Sequence, residues 1–265
     1  MIARILIPVA VMAGLGILFG FGLAYALKLF GITSDEIIEK ILSKLPGSNC
    51  GACGKAGCAG FAIALQKGQA QPSGCVLSKE DTRKSIAEIL GIDFDKTAEK
   101  KAIVLCNGGN NAKDKYKYTG IKTCKAATLL FGGYKACTYG CIGFGDCKAS
   151  CPFGAIEMDD NLPRIDLRKC TGCGNCVKVC PKNITALNTA DNKYYVKCSS
   201  NDTGPYVRKV CFQGCIGCGI CAKLSNGAFV VSNNLARPDN EKIKNITNGD
   251  EIMIKCPTKV IKQIL

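Results

Sequence analysis

The cysteines between positions 137 and 180 constrain this chain more than any other feature. Cys137-x3-Cys141-x5-Cys147-x3-Cys151 runs into Pro152, and seventeen residues further on Cys170-x2-Cys173-x2-Cys176-x3-Cys180 runs into Pro181. In the C-x2-C-x2-C-x3-C-P pattern three thiolates hold three corners of one [4Fe–4S] cube, and the fourth, before the proline, reaches a second cube. Proline turns the chain and leaves no N–H to fold back on the sulfur, so the remote cysteine is presented to its neighbour. Crossing the two blocks puts Cys170, Cys173, Cys176 and Cys151 on one cluster and Cys137, Cys141, Cys147 and Cys180 on the other. A zinc ribbon would use two spaced pairs instead, and the sequence contains no histidine.

Twenty cysteines in 265 residues divide into five groups of four. A disulfide framework of that density belongs to small secreted chains, whereas C-x2-C repeats in a longer chain point to metal in a reducing compartment. The absence of His and Trp removes the usual proton shuttles, so no catalytic residue is assigned. The formal charge of +14 counts every cysteine as neutral. Each all-thiolate cube carries roughly −2, so five would leave a total of about +4. The lysines then compensate cluster charge and offer a surface to an acidic partner. Basic residues do not alternate with aromatics, which argues against nucleic acid.

Taken in order, residues 1–31 read as a transmembrane anchor. Ile5–Leu27 is 23 residues without a charge, bounded by Arg4 and Lys28, and at 1.5 Å per residue spans about 35 Å. Ala24-Tyr25-Ala26 resembles a signal-peptidase site, but the apolar run is long for a signal core, and exporting apo-cysteines past the cluster-assembly machinery makes little sense. Gly16-x3-Gly20 leaves room for a neighbouring helix. The cysteines place the soluble part in the cytoplasm. Residues 32–91 read as a small helical module. Thr33-x2-Glu36 is a capping box for a helix with apolar face Ile37, Ile38, Ile41, Leu42 and Leu45, ended by Pro46-Gly47. Cys50-x2-Cys53-x4-Cys58-x16-Cys75 then surrounds one cube, with glycines letting backbone amides approach the sulfurs. Phe61, Ala62 and Leu65 form a core stripe, and a helix from Ser78 to Leu90 stops at Gly91.

Residues 92–135 read as a linker (charged over 92–103) and a cysteine-bearing insertion with Cys106, Cys124 and a helix from Ile121 to Phe131. Residues 136–192 are the two-cluster ferredoxin-type domain. Residues 193–265 read as a degenerate ferredoxin-type unit, with a strand at Tyr194–Cys198 and the block Cys211-x3-Cys215-x2-Cys218-x2-Cys221. The fourth cysteine of that block should stand at Ser225 before a proline, and Asn226 follows instead. A second triad is missing too, so one whole cluster is gone and Cys215, Cys218, Cys221 and Cys256 remain as one set. By elimination Cys106, Cys124, Cys198 and Cys211 are left. They make a fifth cluster, or stay unpaired and buried, or serve as alternative partners for neighbouring cubes. The fold class is α+β.

The opening Ser48-Asn49-Cys50-Gly51-Ala52-Cys53-Gly54 and the run Cys137-Thr138-Tyr139-Gly140-Cys141-Ile142-Gly143-Phe144-Gly145-Asp146-Cys147 resemble the B subunit of the Rnf complex, a membrane-bound ferredoxin:NAD oxidoreductase coupled to Na⁺ or H⁺ translocation. The likeness runs essentially end to end; the degraded C-terminal unit is the departure. It implies an electron-relay subunit with reduced ferredoxin as donor and membrane and flavin subunits as partners, while the cysteine count gives five [4Fe–4S] clusters and the apolar run a single-pass anchor in the cytoplasmic membrane of a prokaryote. No G-x-G-x-x-G following a strand marks a nucleotide site. A membrane-anchored iron–sulfur redox sensor, or the iron–sulfur subunit of another dehydrogenase, is the alternative.

Overall fold

A computed structural model describes residues 2–30, 36–94, 99–189 and 191–264. Helix α1, Ile2–Phe30, is one continuous rod of 29 residues. Among the described residues no helix is long and apolar enough to cross a membrane.

The helical module follows. Helix α2 is Glu36–Lys44, and Thr33 of the expected capping box lies outside the described residues. Ile41 and Leu45 are buried and Ile38 packs beside them. Ile37 and Leu42, expected on the same face, are exposed, because residues 38, 41 and 45 already complete the stripe at 3.6 residues per turn. Helix α3, Gly57–Gln66, adds Phe61, Ala62 and Leu65 to that core. Helix α4, Glu80–Leu90, contributes Ile86 and ends at Gly91, whose left-handed conformation lets its N–H and that of Ile92 cap the last carbonyls.

The rest of the chain contains the same ferredoxin-like plan twice. In the first unit strand β1, Lys100–Val104, lies inside the stretch expected to be linker. It opens on two lysines, and its partner arrives more than 80 residues later in the chain, so local pattern could not reveal it. The insertion helix α5, Cys124–Leu129, is shorter than the expected Ile121–Phe131. It starts where the Thr123 hydroxyl accepts from the Ala126 N–H (3.2 Å), a residue-specific N-cap. Helix α6, Asp146–Ala149, leads to the hairpin of β2, Ile156–Asp159, and β3, Leu162–Ile165. Helix α7, Asn175–Val179, follows the second triad, and β4, Thr185–Thr189, closes the unit antiparallel to β1, with Val104 opposite Thr185.

The second unit repeats this. Strand β5 is Tyr194–Val196, and helix α8, Gly204–Val210, precedes Cys211. Helix α9, Ile220–Leu224, leads into the hairpin of β6, Phe229–Ser232, and β7, Leu235–Pro238. Helix α10, Gly249–Lys255, stands where the second triad would be, and β8, Ile261–Gln263, returns antiparallel to β5. Both hairpins turn on two residues of positive φ, Asp160-Asn161 (50° and 56°) and Asn233-Asn234 (47° and 60°), as tight two-residue turns require. Gly143 and Gly217 are equivalent as well. A Cβ on either would lie 2.8 Å from a carbonyl oxygen of its hairpin, that of Asn161 or Asn234.

Candidate metal centres

The cysteine motifs run from loops into short helices, and three cavities are lined by thiols. The first cavity, about 360 Å³, is lined by Cys124, Cys141, Cys147 and Cys180 together with Ile142, Met158 and Ile184. Spacing along the chain puts Cys137 in the place that Cys124 takes here. Aligning the two units gives the reason. Cys141 and Cys147 match Cys215 and Cys221, but the residue matching Cys218 is Phe144. The first unit therefore lacks the middle thiol of its triad, and the insertion supplies it. Asp146 accepts from the backbone N–H of Cys124 (2.9 Å) and of Lys125 (3.1 Å), which pins the start of α5 beside the triad. Phe144, relieved of a ligand's place, packs against Tyr118 and Tyr134 at 5.6 Å each.

A second cavity, about 380 Å³, lies between the units and is lined by Cys106, Cys137, Cys198 and Cys211. Cys124, grouped by elimination with three of these, is not among them. A third, about 360 Å³, is lined by Cys215, Cys218, Cys221 and Cys256, the grouping expected from spacing.

Three cysteines of the remaining set in the first unit, Cys151, Cys170 and Cys176, meet in one core. Cys170 and Cys176 are buried in one cluster of side chains, with Cys151 and Cys147 packed against it. The Ala102 N–H points at the Cys170 sulfur (3.4 Å), and Thr185 donates to the Cys176 carbonyl (2.8 Å). In the helical module Cys53, Cys58 and Cys75 pack on the Ile41–Phe61–Ile86 core. Asn49 accepts from the Cys58 N–H (2.8 Å), fixing the loop that carries Cys50 at its head.

Burial dominates the electrostatics of these thiols, and neighbouring cysteines add to it. Cys137 is pushed up to about 11 by burial and then by Cys106, Cys198 and Cys211. Cys147 reaches about 11, raised by burial, Cys124 and Cys180. Cys176 reaches about 12 through burial and then Cys173, Cys170, Cys147 and Cys151. Cys221 reaches about 11 through burial and then Cys215, Cys218 and Cys256. Cys141 is raised furthest of these, again by burial first. At neutral pH these groups hold their protons until a cation displaces them, so loading iron releases protons.

Among the described residues no three His, Cys, Asp or Glu side chains converge on a single metal ion. Thiolates around one zinc would stand about 3.8 Å apart. Four soft donors spaced around an apolar cavity, with backbone N–H groups aimed at sulfur, fit the separated corners of a [4Fe–4S] cube. When bound, such clusters supply one-electron redox chemistry.

Two ferredoxin-like units and a helical module, all rich in cysteines, define an iron–sulfur electron-transport protein. The family described as "Putative Fe-S cluster" matches residues 45–77, and that described as "4Fe-4S dicluster domain" matches residues 136–184. The chain is 38% identical over 264 residues to the B subunit of the Na(+)-translocating ferredoxin:NAD(+) oxidoreductase complex of Acetobacterium woodii, covering 98% of this chain and 78% of that protein. It is 40% identical over 265 residues to the B subunit of the proton-translocating ferredoxin:NAD(+) oxidoreductase complex of Clostridium ljungdahlii, covering 98% and 93%. To the B subunit of the ion-translocating oxidoreductase complex of Methanosarcina acetivorans it is 38% identical over 257 residues, covering 96% of each. The chain belongs to the family of B subunits of ion-translocating oxidoreductase complexes.

Proposed function

We propose that this chain is the electron-relay subunit of a membrane complex that couples electron transfer from reduced ferredoxin toward NAD to the movement of Na⁺ or H⁺. The observation that carries the reading is the set of three cavities, each lined by four cysteines, in the two ferredoxin-like units. Relatives named for this activity along nearly the whole length support it. In this reading [4Fe–4S] clusters sit at Cys50, Cys53, Cys58 and Cys75, at Cys151, Cys170, Cys173 and Cys176, at Cys124, Cys141, Cys147 and Cys180, and at Cys215, Cys218, Cys221 and Cys256. The protein's own groups shape the redox chemistry by burial and by N–H donors to sulfur. The chain transfers electrons, and flavin, nicotinamide and ion sites belong to the other subunits.

Residues 1–31 serve as the anchor. What supports this is the uncharged run Ile5–Leu27, the unbroken helix through it, and the exposure of Met12, Leu15, Leu18, Phe19, Phe21 and Leu23. A helix apolar all round belongs in a membrane or a core. The soluble part lies on the cytoplasmic side, where ferredoxin is found.

The test is reduction of the full chain, reconstituted anaerobically in detergent, by reduced ferredoxin in stopped flow. The expected outcome is rapid bleaching of iron–sulfur absorption and low-potential EPR signals, with the chain in the membrane fraction. A protein that dithionite reduces but ferredoxin does not would sink the donor assignment.

A further inference from the structure

We infer that Cys106, Cys137, Cys198 and Cys211 hold a further [4Fe–4S] cluster that joins the two ferredoxin-like units. The ligand set is contributed symmetrically. Cys106 stands two residues past the end of β1 at Val104, and Cys198 two residues past the end of β5 at Val196. Cys137 precedes Cys141 by the spacing with which Cys211 precedes Cys215. Each unit thus supplies the same two positions to a shared site, and neither can complete it alone. Cys137 is free for this because Cys124 has taken the place left open at Phe144.

Three further observations fit a negatively charged cube there. The cavity is lined by four cysteines, as is each of the two flanking cavities. The sulfurs receive backbone donors: Gly108 N–H (3.5 Å) and Cys141 N–H (3.5 Å) at Cys106, and Cys215 N–H (3.3 Å) at Cys198. Cations are held close. Lys135 is buried, paired with Asp114 at 2.8 Å and bonded to the carbonyls of Gly109 and Ala112. Arg237 donates to the Cys198 carbonyl at 3.0 Å. A cube with four thiolates, roughly −2 in charge, is stabilised by such neighbours in a low-dielectric site.

Two of the N–H groups give the site its role. Cys141 lines the cavity of the first unit, and Cys215 lines that of the second. Both donate to sulfurs of the shared site, at Cys106 and Cys198 respectively. The shared cluster is therefore the connector between the halves. That role rests on the relay reading above; the ligand set does not.

Iron and acid-labile sulfide are measured in the anaerobically reconstituted full chain and in Cys→Ala variants. The parent should hold about 20 of each, in five cubes. C137A and C211A should each lose about four irons, and the double variant C137A/C211A no more than either alone. C137A/C147A should lose about eight, because it touches two clusters. A C137A/C211A protein lacking about eight irons, or a C137A/C147A protein lacking only about four, would return Cys137 to the ferredoxin triad and overturn the assignment. If a variant fails to fold, the parent decides: about 16 irons per chain would exclude the further cluster. For the role, ferredoxin should leave the clusters on one side of the gap oxidised in C211A while dithionite reduces them. Reduction of both sides by ferredoxin at the parent rate would overturn the connector. Failure of ferredoxin to reduce any cluster in the parent would remove the donor reading and leave the iron count standing.

Discussion

The two ferredoxin-like units share strand order, hairpin turns and one cysteine-lined cavity each, and differ in what fills the other half of the fold. In the first unit that half contains Cys151, Cys170, Cys173 and Cys176, and the apolar core is split into small patches between thiols, around Ala102 and Ile156 on one side and Val104 and Ile184 on the other. In the second unit the corresponding space is a continuous apolar core of Phe229, Leu235, Ile243, Ile252, Val260 and Ile261. Phe229 opens its hairpin as Ile156 opens the other, and is fully buried. Ser225 stands where Cys151 would be matched, and its hydroxyl accepts from the Phe229 N–H (2.8 Å), a local bond in place of a remote ligand. A cluster and a set of side chains are thus interchangeable as cores. In the proposed reading the first unit is held by metal where the second is held by burial of apolar surface.

The largest expected effect comes from removing iron. Chelation under reducing conditions should abolish hydrogen-exchange protection in the β2–β3 hairpin while the β6–β7 hairpin keeps part of its own, since bound metal contributes on the order of 10 kcal/mol to domains that depend on it. Equal loss in both hairpins would erase the distinction. Within the first unit, C170A should remove about four irons and weaken the neighbouring site, because Cys147 packs against both. Unchanged iron content and melting would mean the two sites are independent.

The converse experiment attacks the second unit. Phe229→Ala should destabilise it by about 3–5 kcal/mol, read from its unfolding transition, with the iron content of the first unit unchanged. A cost below about 1 kcal/mol would show that Phe229 does not take over the work of a cluster.

A smaller effect is expected at the surface. Reduction by ferredoxin should slow as salt rises, since ferredoxins are generally acidic and screening acts within about 10 Å at 0.1 M. Lys113 is held over the Phe212 ring of the second unit at 5.9 Å, while Lys115 and Lys117 project into solvent. Changing all three to glutamine should lower the rate constant by about tenfold if this edge of the first unit is the dock. An unchanged rate with a persisting salt slope would move the dock elsewhere. The smallest difference lies in the hairpin turns. Asn161→Ala and Asn234→Ala should each cost about 1–2 kcal/mol, because alanine tolerates the left-handed conformation less well. Each also loses a side-chain bond, to Asn110 at 2.6 Å or to the Asn201 carbonyl at 3.1 Å. Unequal costs would show that the two turns are not equivalent.

Spacing alone makes much of this visible. The four cysteines ending at Cys256 are grouped by their intervals, and the helices α3 and α4 by apolar period and a terminal glycine. Strand β1 is hidden because Lys100 and Lys101 open it and its partner β4 is remote in sequence. The exchange of Cys124 and Cys137 is hidden for a related reason. A thiol's neighbours along the chain suggest its cluster, while its actual neighbours come from another segment. The clue that is present is Phe144 at the position Cys218 occupies in the second unit.

The sequence by itself pointed to the chemistry: twenty cysteines, no histidine, and triads whose spacing matches a cube. It also shows that the second unit lacks both the remote cysteine before a proline and a second triad. Only the tertiary structure decided which thiol belongs to which cavity, and that Cys106, Cys137, Cys198 and Cys211 meet between the units. The physical reason is that local spacing fixes ligands on one loop, whereas a site assembled from four segments is fixed by the pairing of β1 with β4 and of β5 with β8, contacts that no interval along the chain encodes.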